Sequence, residues 1–240
     1  MHTQKGSMRL LTIGFVCGLL FLPSLRAMAQ TTVLLPAAAD TTIFSESNAL
    51  SNGAGDYFFA GRVNGPEIRR ALIRFDLSGS IPAGSTITSV RLTLRMSKSK
   101  QGTDPVALHM VTADWGEGAS DADLEEGAGA AAEADDATWA YRYYNTATPG
   151  ASPAWSVLGG DYDATFSASI PVGAADAYYT WGSTALMVDD AQHWLDNPAM
   201  NFGWILVGNQ ASPRTAARFN SRTNPMVNQR PVLEVTFVPP

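Results

Sequence analysis

Cysteine is all but missing from this chain: among 240 residues only Cys17 is one, and it lies in an apolar run near the N-terminus. The rest can form no disulfide and offers no thiolate to zinc or an iron cluster, so its stability has to come from packing. Histidine is nearly as rare, with His2, His109 and His193 alone. No serine elbow, metal triad or glycine-rich phosphate loop accompanies them, and nothing selects two of the many carboxylates as a glycosidase pair. The expectation is a protein that is not an enzyme. Lysine is confined to Lys5, Lys98 and Lys100, and the net charge is -6. Nucleic acid and anionic membranes call for a basic surface, so neither is an expected partner.

Only one long apolar run exists, over residues 10–25, and it is too short and too poorly flanked for a stable membrane span. Met8-Arg9 supplies a positive start, and Ala27-Met28-Ala29 before Gln30 has the small-x-small form of a signal-peptidase site. Residues 1–29 are therefore expected to be a signal peptide, with the protein secreted to the extracellular space or cell surface. The basic start and apolar core are complete from Met8, which makes Met8 an alternative start. Val16 is not the small residue that a lipoprotein signal wants before Cys17, which argues against a lipid anchor. Loss of Lys5, Arg9 and Arg26 takes the net charge to about -9. Residues 30–240 suffice for one β-sandwich domain that buries on the order of 70% of its unfolded surface.

Residues 69–96 carry the clearest pattern. Ala71, Ile73, Phe75 and Leu77 fall on one side of a first strand, with Arg70, Arg74 and Asp76 on the other. Val90, Leu92, Leu94 and Met96 repeat the alternation against Arg91, Thr93 and Arg95, and each run reads as a half-buried strand. Ser78-Gly79-Ser80 and Pro82-Ala83-Gly84 supply the turn between them. Further strand-like runs cover 33–36, 57–61, 106–111, 202–207, 215–220 and 232–238, with Gly, Pro, Asn and Ser clusters between them. The run at 202–207 is apolar on both faces and should lie centrally, whereas Leu233, Val235 and Phe237 should face inward. One short helix is predicted, capped by Ser183 or Thr184, with Met187, Ala191, Trp194 and Leu195 at helical spacing and Asn197-Pro198 as its stop. Asp189 and Asp190 have no buried or special place in this reading. Residues 114–136 hold nine acids and no base, and read as a long solvated surface loop. The fold class is thus all-β, a jelly-roll-like antiparallel β-sandwich with one short helix and a long acidic loop.

At these residues the chain resembles a known family. R-x-L-I-R-F-D-L-S followed by I-P-A-G-S-T-I-T-S-V-R-L-T-L is similar to the DNRLRE (disaggregatase-related) domain. Further blocks are Ala39-Asp40-Thr41-Thr42-Ile43, Trp115-Gly116-Glu117-Gly118, Ala137-Thr138-Trp139, Gly159-Gly160-Asp161, Trp194-Leu195-x-Asn197-Pro198, Asn201-Phe202-Gly203, Phe219-Asn220-Ser221-Arg222 and Arg230-Pro231-x-Leu233-x-Val235. Thr223 stands where the family often has Glu. The resemblance implies a secreted β-sandwich module whose characterised relatives include alginate-binding carbohydrate modules. It therefore implies binding of a polysaccharide, an acidic one such as alginate in the first place.

The residues themselves suggest how. Arginine suits bidentate recognition of a carboxylate. Arg62, Arg70 and Arg74 from early strands, with Arg214, Arg218 and Arg222 from late ones, would form a groove for uronic acids if their outward faces shared one concave sheet; otherwise they pair with local acids such as Asp56, Glu67 and Asp76. Tyr141, Tyr143, Tyr144 and Trp155 are the aromatics expected to form an exposed stacking platform for sugar rings, while Trp115, Trp139 and Trp194 are expected to pack. Asp121, Asp123 and Glu125 sit at alternating positions that suit calcium, although the glycine comes one place late and Ala132 occupies the twelfth position, so the EF-hand pattern fails. A structural calcium held there, or by Asp161, Asp163 and Asp40, is the only cofactor the sequence leaves open. Two other functions compete. One is a structural cell-surface or matrix protein with no sugar site. The other is a polysaccharide lyase, suggested by Tyr57-Phe58-Phe59-Ala60-Gly61, which resembles a lyase string but lacks its lysine and its Arg-x-Glu-x-Arg partner. The oligomeric state has no signature in the sequence.

Overall fold

The computed structural model describes residues 1–2, 29–99 and 102–240. The expected signal peptide falls almost wholly on residues 3–28, outside the described ones, as does Lys100. Among the described residues no helix is long and apolar enough to cross a membrane. The elements in chain order are β1 (Thr31–Phe44), β2 (Leu50–Ser51), β3 (Tyr57–Arg62), β4 (Ile68–Phe75), β5 (Thr86–Lys98), β6 (Asp104–Val111), β7 (Ala130–Ala131), β8 (Tyr162–Val172), β9 (Ala177–Gly182), α1 (Ala185–Asp196), β10 (Trp204–Gly208), β11 (Ala217–Asn220) and β12 (Val232–Val238). The class is all-β with antiparallel pairing throughout, and α1 is the one α-helix among the described residues.

Two sheets are joined through β1 and β3. β1 is long enough to serve both: its first half pairs with β12, with Thr31 opposite Phe237, and after a register shift between Ala37 and Ala39 its second half pairs with β4. β3 likewise bridges β11 and β4. The path β1-β12-β5-β11-β3-β4 therefore returns to β1 as a closed ring, from which β10, β6 and β8 extend beyond β4, and β9 extends beyond β5. Among the described residues, this assembly ends on β8 and β9, whose outer ladder edges are unpaired.

Alternation sets the interior. Ala71, Ile73 and Phe75 of β4, Leu92, Leu94 and Met96 of β5, and Leu233, Val235 and Phe237 of β12 all enter the main core. β5 starts earlier than its apolar pattern suggests. A bulge opposite Thr236 and Phe237 lets Ile87 and Val90, three residues apart, both point inward. The turn before β5 closes on Gly84 at φ +81°, a conformation that side chains with a Cβ rarely adopt. β10 lies between β4 and β6, as its two apolar faces require. α1 is capped by Thr184, whose hydroxyl accepts from the Met187 N–H at 3.1 Å. It packs Met187, Ala191, Trp194 and Leu195 into the core.

Asp190 corrects the sequence reading. It is buried on α1, and its Oδ2 accepts from Ser167 Oγ at 2.5 Å and Trp204 Nε1 at 2.7 Å. The Trp204 ring packs edge-on against Trp194 at 4.6 Å.

A second apolar cluster corrects the reading of β4 as half-buried. Leu72 shares the face of Arg70 and Arg74, and it packs with Ile43, Val111, Trp115, Ala137, Trp155 and Ile205. The acidic segment and the residues after it lie over the outer face of this sheet as a further layer. That segment is not simply solvated, since Glu126 and Asp136 are buried. Glu126 accepts from the Asp56 and Tyr57 N–H groups at 3.0 and 2.8 Å and from Asn52 Nδ2 at 2.8 Å. Asp136 accepts from the Glu133 N–H at 2.7 Å. Gly118 lies so close to Asp136 that a Cβ there would sit 1.6 Å from its Oδ1. These two carboxylates replace the backbone hydrogen bonds that an irregular segment lacks, which is why acids occur in its interior.

Candidate functional site

The expected arginine groove does not form as one surface; the structure distributes its members. Arg62 spends its guanidinium on loop carbonyls, Gly65 at 2.9 Å and Ala211 at 3.0 Å. Arg74 lies over the Trp115 ring and pairs with Asp114 at 2.9 Å, half-buried beneath the covering layer. Arg214 bonds Asn64 Oδ1 at 2.7 Å. Arg222 is held on both carboxylate oxygens of Glu117, while its N–H bonds Asp40 Oδ2 at 2.7 Å. The Asp40 N–H in turn bonds Glu117 Oε1 at 2.8 Å. Burial pushes the Asp40 carboxyl up to about 8, with the Arg222 N–H opposing and the Glu117 charge adding to the rise. This knot ties β1, the acidic segment and the turn after β11 together, and it is a packing device.

Arg218 and Arg70 instead stand at open concavities. The first, of about 430 Å³, lies on the outer face of the ring. Strand register builds it: Arg218 of β11 is opposite Phe59 of β3 on one side and Lys98 of β5 on the other, which puts the three side chains in one row. Arg218 lies 3.7 Å from the Tyr57 ring centroid, donates from Nε to Ser97 Oγ at 3.0 Å, and donates from Nη1 to Glu125 Oε2 at 2.7 Å. Lys98 Nζ reaches the same Oε2 at 2.8 Å. Across the concavity Arg69, itself buried, holds Glu46 with both Nη atoms at 2.6 Å. The second concavity, of about 500 Å³, is lined by Arg70, Thr112, Val157, Leu158, Asp161 and Tyr162 among others. Arg70 lies between the Trp139 and Tyr162 rings at 4.9 and 5.5 Å. Its Nη1 donates to Gly159 O at 2.7 Å and its Nη2 to Gln210 Oε1 at 3.1 Å. Among the described residues no carboxylate lies within ion-pair distance of it, and burial lowers its pKa.

The expected aromatic platform is corrected at Trp155. Only 5% exposed, it belongs to the second cluster and donates from Nε1 to Thr138 O at 2.9 Å. Tyr141, Tyr143 and Tyr144 are half-buried. The Tyr143 phenol is pushed up to about 12, first by burial and then by its hydrogen bond to Asp114. The rings at the concavities are Phe59 and Tyr162, which sequence reasoning passed over. A signal existed for Phe59: Phe58 points into the core, so Tyr57 and Phe59 must share the outer face.

Asp121 and Asp123 are exposed, and Glu125 is engaged by Lys98 and Arg218. Among the described residues no three His, Cys, Asp or Glu side chains are grouped as a metal site would group them. His109 bonds Asp163 O through Nδ1 at 2.8 Å and packs edge-on against Tyr162.

No protein-family model and no curated protein matches the chain. The class that the fold defines is an antiparallel all-β sandwich whose two sheets are joined through β1 and β3, and such a fold by itself fixes no function.

Proposed function

We propose that this is a secreted, non-catalytic carbohydrate-binding protein for an acidic polysaccharide such as alginate, of the DNRLRE type that its sequence resembles. One observation carries the reading: in two open concavities a guanidinium lies against an aromatic ring, Arg218 on Tyr57 and Arg70 between Trp139 and Tyr162. Such a pair offers the remaining guanidinium N–H donors to a sugar carboxylate beside apolar surface suited to the C–H face of a ring. Three other cations, Arg69, Arg74 and Arg222, are held by Glu46, Asp114 and Glu117. Those three pairs also favour a second reading, a structural surface or matrix protein whose arginines serve packing alone.

Affinity electrophoresis of residues 30–240 in gels holding alginate, pectin or a neutral glucan, with calcium and with chelator, separates the two. Retardation by the acidic polysaccharides alone is expected, weakening as salt rises because exposed charges are screened over about 10 Å at ~0.1 M. Arg218→Ala and Arg70→Ala are each expected to weaken retention by about tenfold, the loss of one charge-assisted contact. Absence of retardation in every gel favours the structural reading. A chelator-sensitive response identifies a bound calcium, and new ultraviolet-absorbing unsaturated ends would reveal a lyase.

A further inference from the structure

We propose that the concavity over Phe59 is a carboxylate-selective subsite which the protein fills with its own Glu125 until a ligand carboxylate displaces it; this rests on the polysaccharide reading above. The wall carries Arg69, Lys98 and Arg218 against Glu46 and Glu125, a local excess of one positive charge in a chain of net charge -6. Glu46 is committed to Arg69 through both of its oxygens. Lys98 and Arg218 are therefore left with Glu125 between them, and both converge on one oxygen of it, Oε2.

Three features make Glu125 the movable partner. Its side chain is 66% exposed, so leaving the two cations costs it little desolvation or packing, whereas the Arg218 side chain is 13% exposed. Its neighbour Glu126 is pinned to Asn52, Asp56 and Tyr57, so the backbone of the segment stays in place when the Glu125 side chain swings out. Arg218 is preset from the other side by Ser97 Oγ and the Tyr57 ring, and it need not reorganise to receive a different carboxylate. The hydrogen bond from Lys98, with the nearby positive charges, holds the Glu125 carboxyl below its usual range, so it is ionised wherever a uronate would be. A carboxylate entering the concavity restores the same two ion pairs. A neutral sugar cannot replace the charge, so Glu125 excludes it from Lys98 and Arg218. Selectivity follows from competition.

Removing the competitor should strengthen binding, a sign opposite to that of an ordinary contact residue. Retardation by alginate and by carboxyl-reduced alginate near neutral pH would be compared for the natural protein, Glu125→Gln, Lys98→Ala and Glu234→Gln. The last removes the same charge from an exposed position on β12. Glu125→Gln is expected to bind alginate about three- to tenfold more tightly, the scale of two exposed ion pairs, and to leave the neutral polymer unaffected. Lys98→Ala should bind alginate more weakly, and Glu234→Gln should match the natural protein. If the natural protein is retarded and Glu125→Gln is not retarded more, or Glu234→Gln gains as much, the displacement idea is overturned while polysaccharide binding stands. If neither the natural protein nor any variant is retarded, the polysaccharide reading itself is overturned and this inference with it.

Discussion

Replacing Asp40 with asparagine is expected to stabilise the protein at about pH 8 by on the order of 5 kcal/mol and to leave it nearly unchanged near pH 4. Asp40 is 1% exposed, and burial raises its pKa from 3.8 to about 8. Between those two values the folded chain keeps a proton that the unfolded chain releases. The folded state then binds more protons, so stability falls as pH rises through this window and levels off above it. Asparagine keeps an oxygen for the Arg222 N–H, now at 2.7 Å from Asp40 Oδ2, and has no charge to desolvate. Glu126, Asp136 and Asp190 are also raised by burial, so the variant should retain a shallower slope of the same sign. Denaturant titrations of both proteins across that pH range provide the check. Parallel curves would show that Asp40 is not a source of the slope.

Arg222→Ala is expected to cost about 3 kcal/mol, or a fall of about 6–12 °C in unfolding temperature for a chain of this size. The loss exceeds the value of a surface ion pair because the Glu117 side chain is only 15% exposed and would be left without its counter-charge beside Asp40. Adding Glu117→Gln to Arg222→Ala removes the stranded charge and should recover part of the loss. Arg218→Ala should instead act on polysaccharide retention with a smaller change in unfolding temperature, since its carboxylate partner Glu125 is already exposed. Thermal melts of the three variants, read beside their retention in alginate gels, separate a packing role from the proposed binding role. Equal melting points for Arg222→Ala and the natural protein would refute the knot as a stabilising device.

The ring strands were legible wherever one face was apolar and the other polar. β4, β5 and β12 follow that rule, and β10 was placed centrally because it has no polar face. β8 was missed because it is an outer strand whose buried residues are Ser167, Ala168 and Val172, too few and too small to mark a period. β9 was missed because its Tyr178, Tyr179 and Trp181 read as part of an aromatic crowd, although only Trp181 enters the core fully. The second cluster depends on an irregular segment folding back over the sheet, and no periodicity encodes that. Leu72, set between Arg70 and Arg74 on the supposedly polar face, was its one local trace. At the candidate site Arg218 could be named from the sequence. Its partners could not, because Phe59, Lys98 and Glu125 reach it through strand register and a loop contact between distant residues. Asp40, Glu117 and Arg222 occur in three separate sequence blocks, and only the fold shows that they meet.

The pairing of Thr31 with Phe237 has a practical side. Both ends of the folded body emerge at one pole, and β5 runs from there, with Thr86 opposite Val238, to Lys98 at the concavity. Thirteen residues of strand separate the two places, roughly 40 Å at 3.3 Å per residue. An anchor attached at either end, a bead linker or a neighbouring segment of polypeptide, therefore grips the body by the pole away from the concavity and leaves its mouth clear of the support. Two such bodies on one support would both keep that concavity open, the arrangement that the proposed polysaccharide binding would need to hold one long polymer at two points.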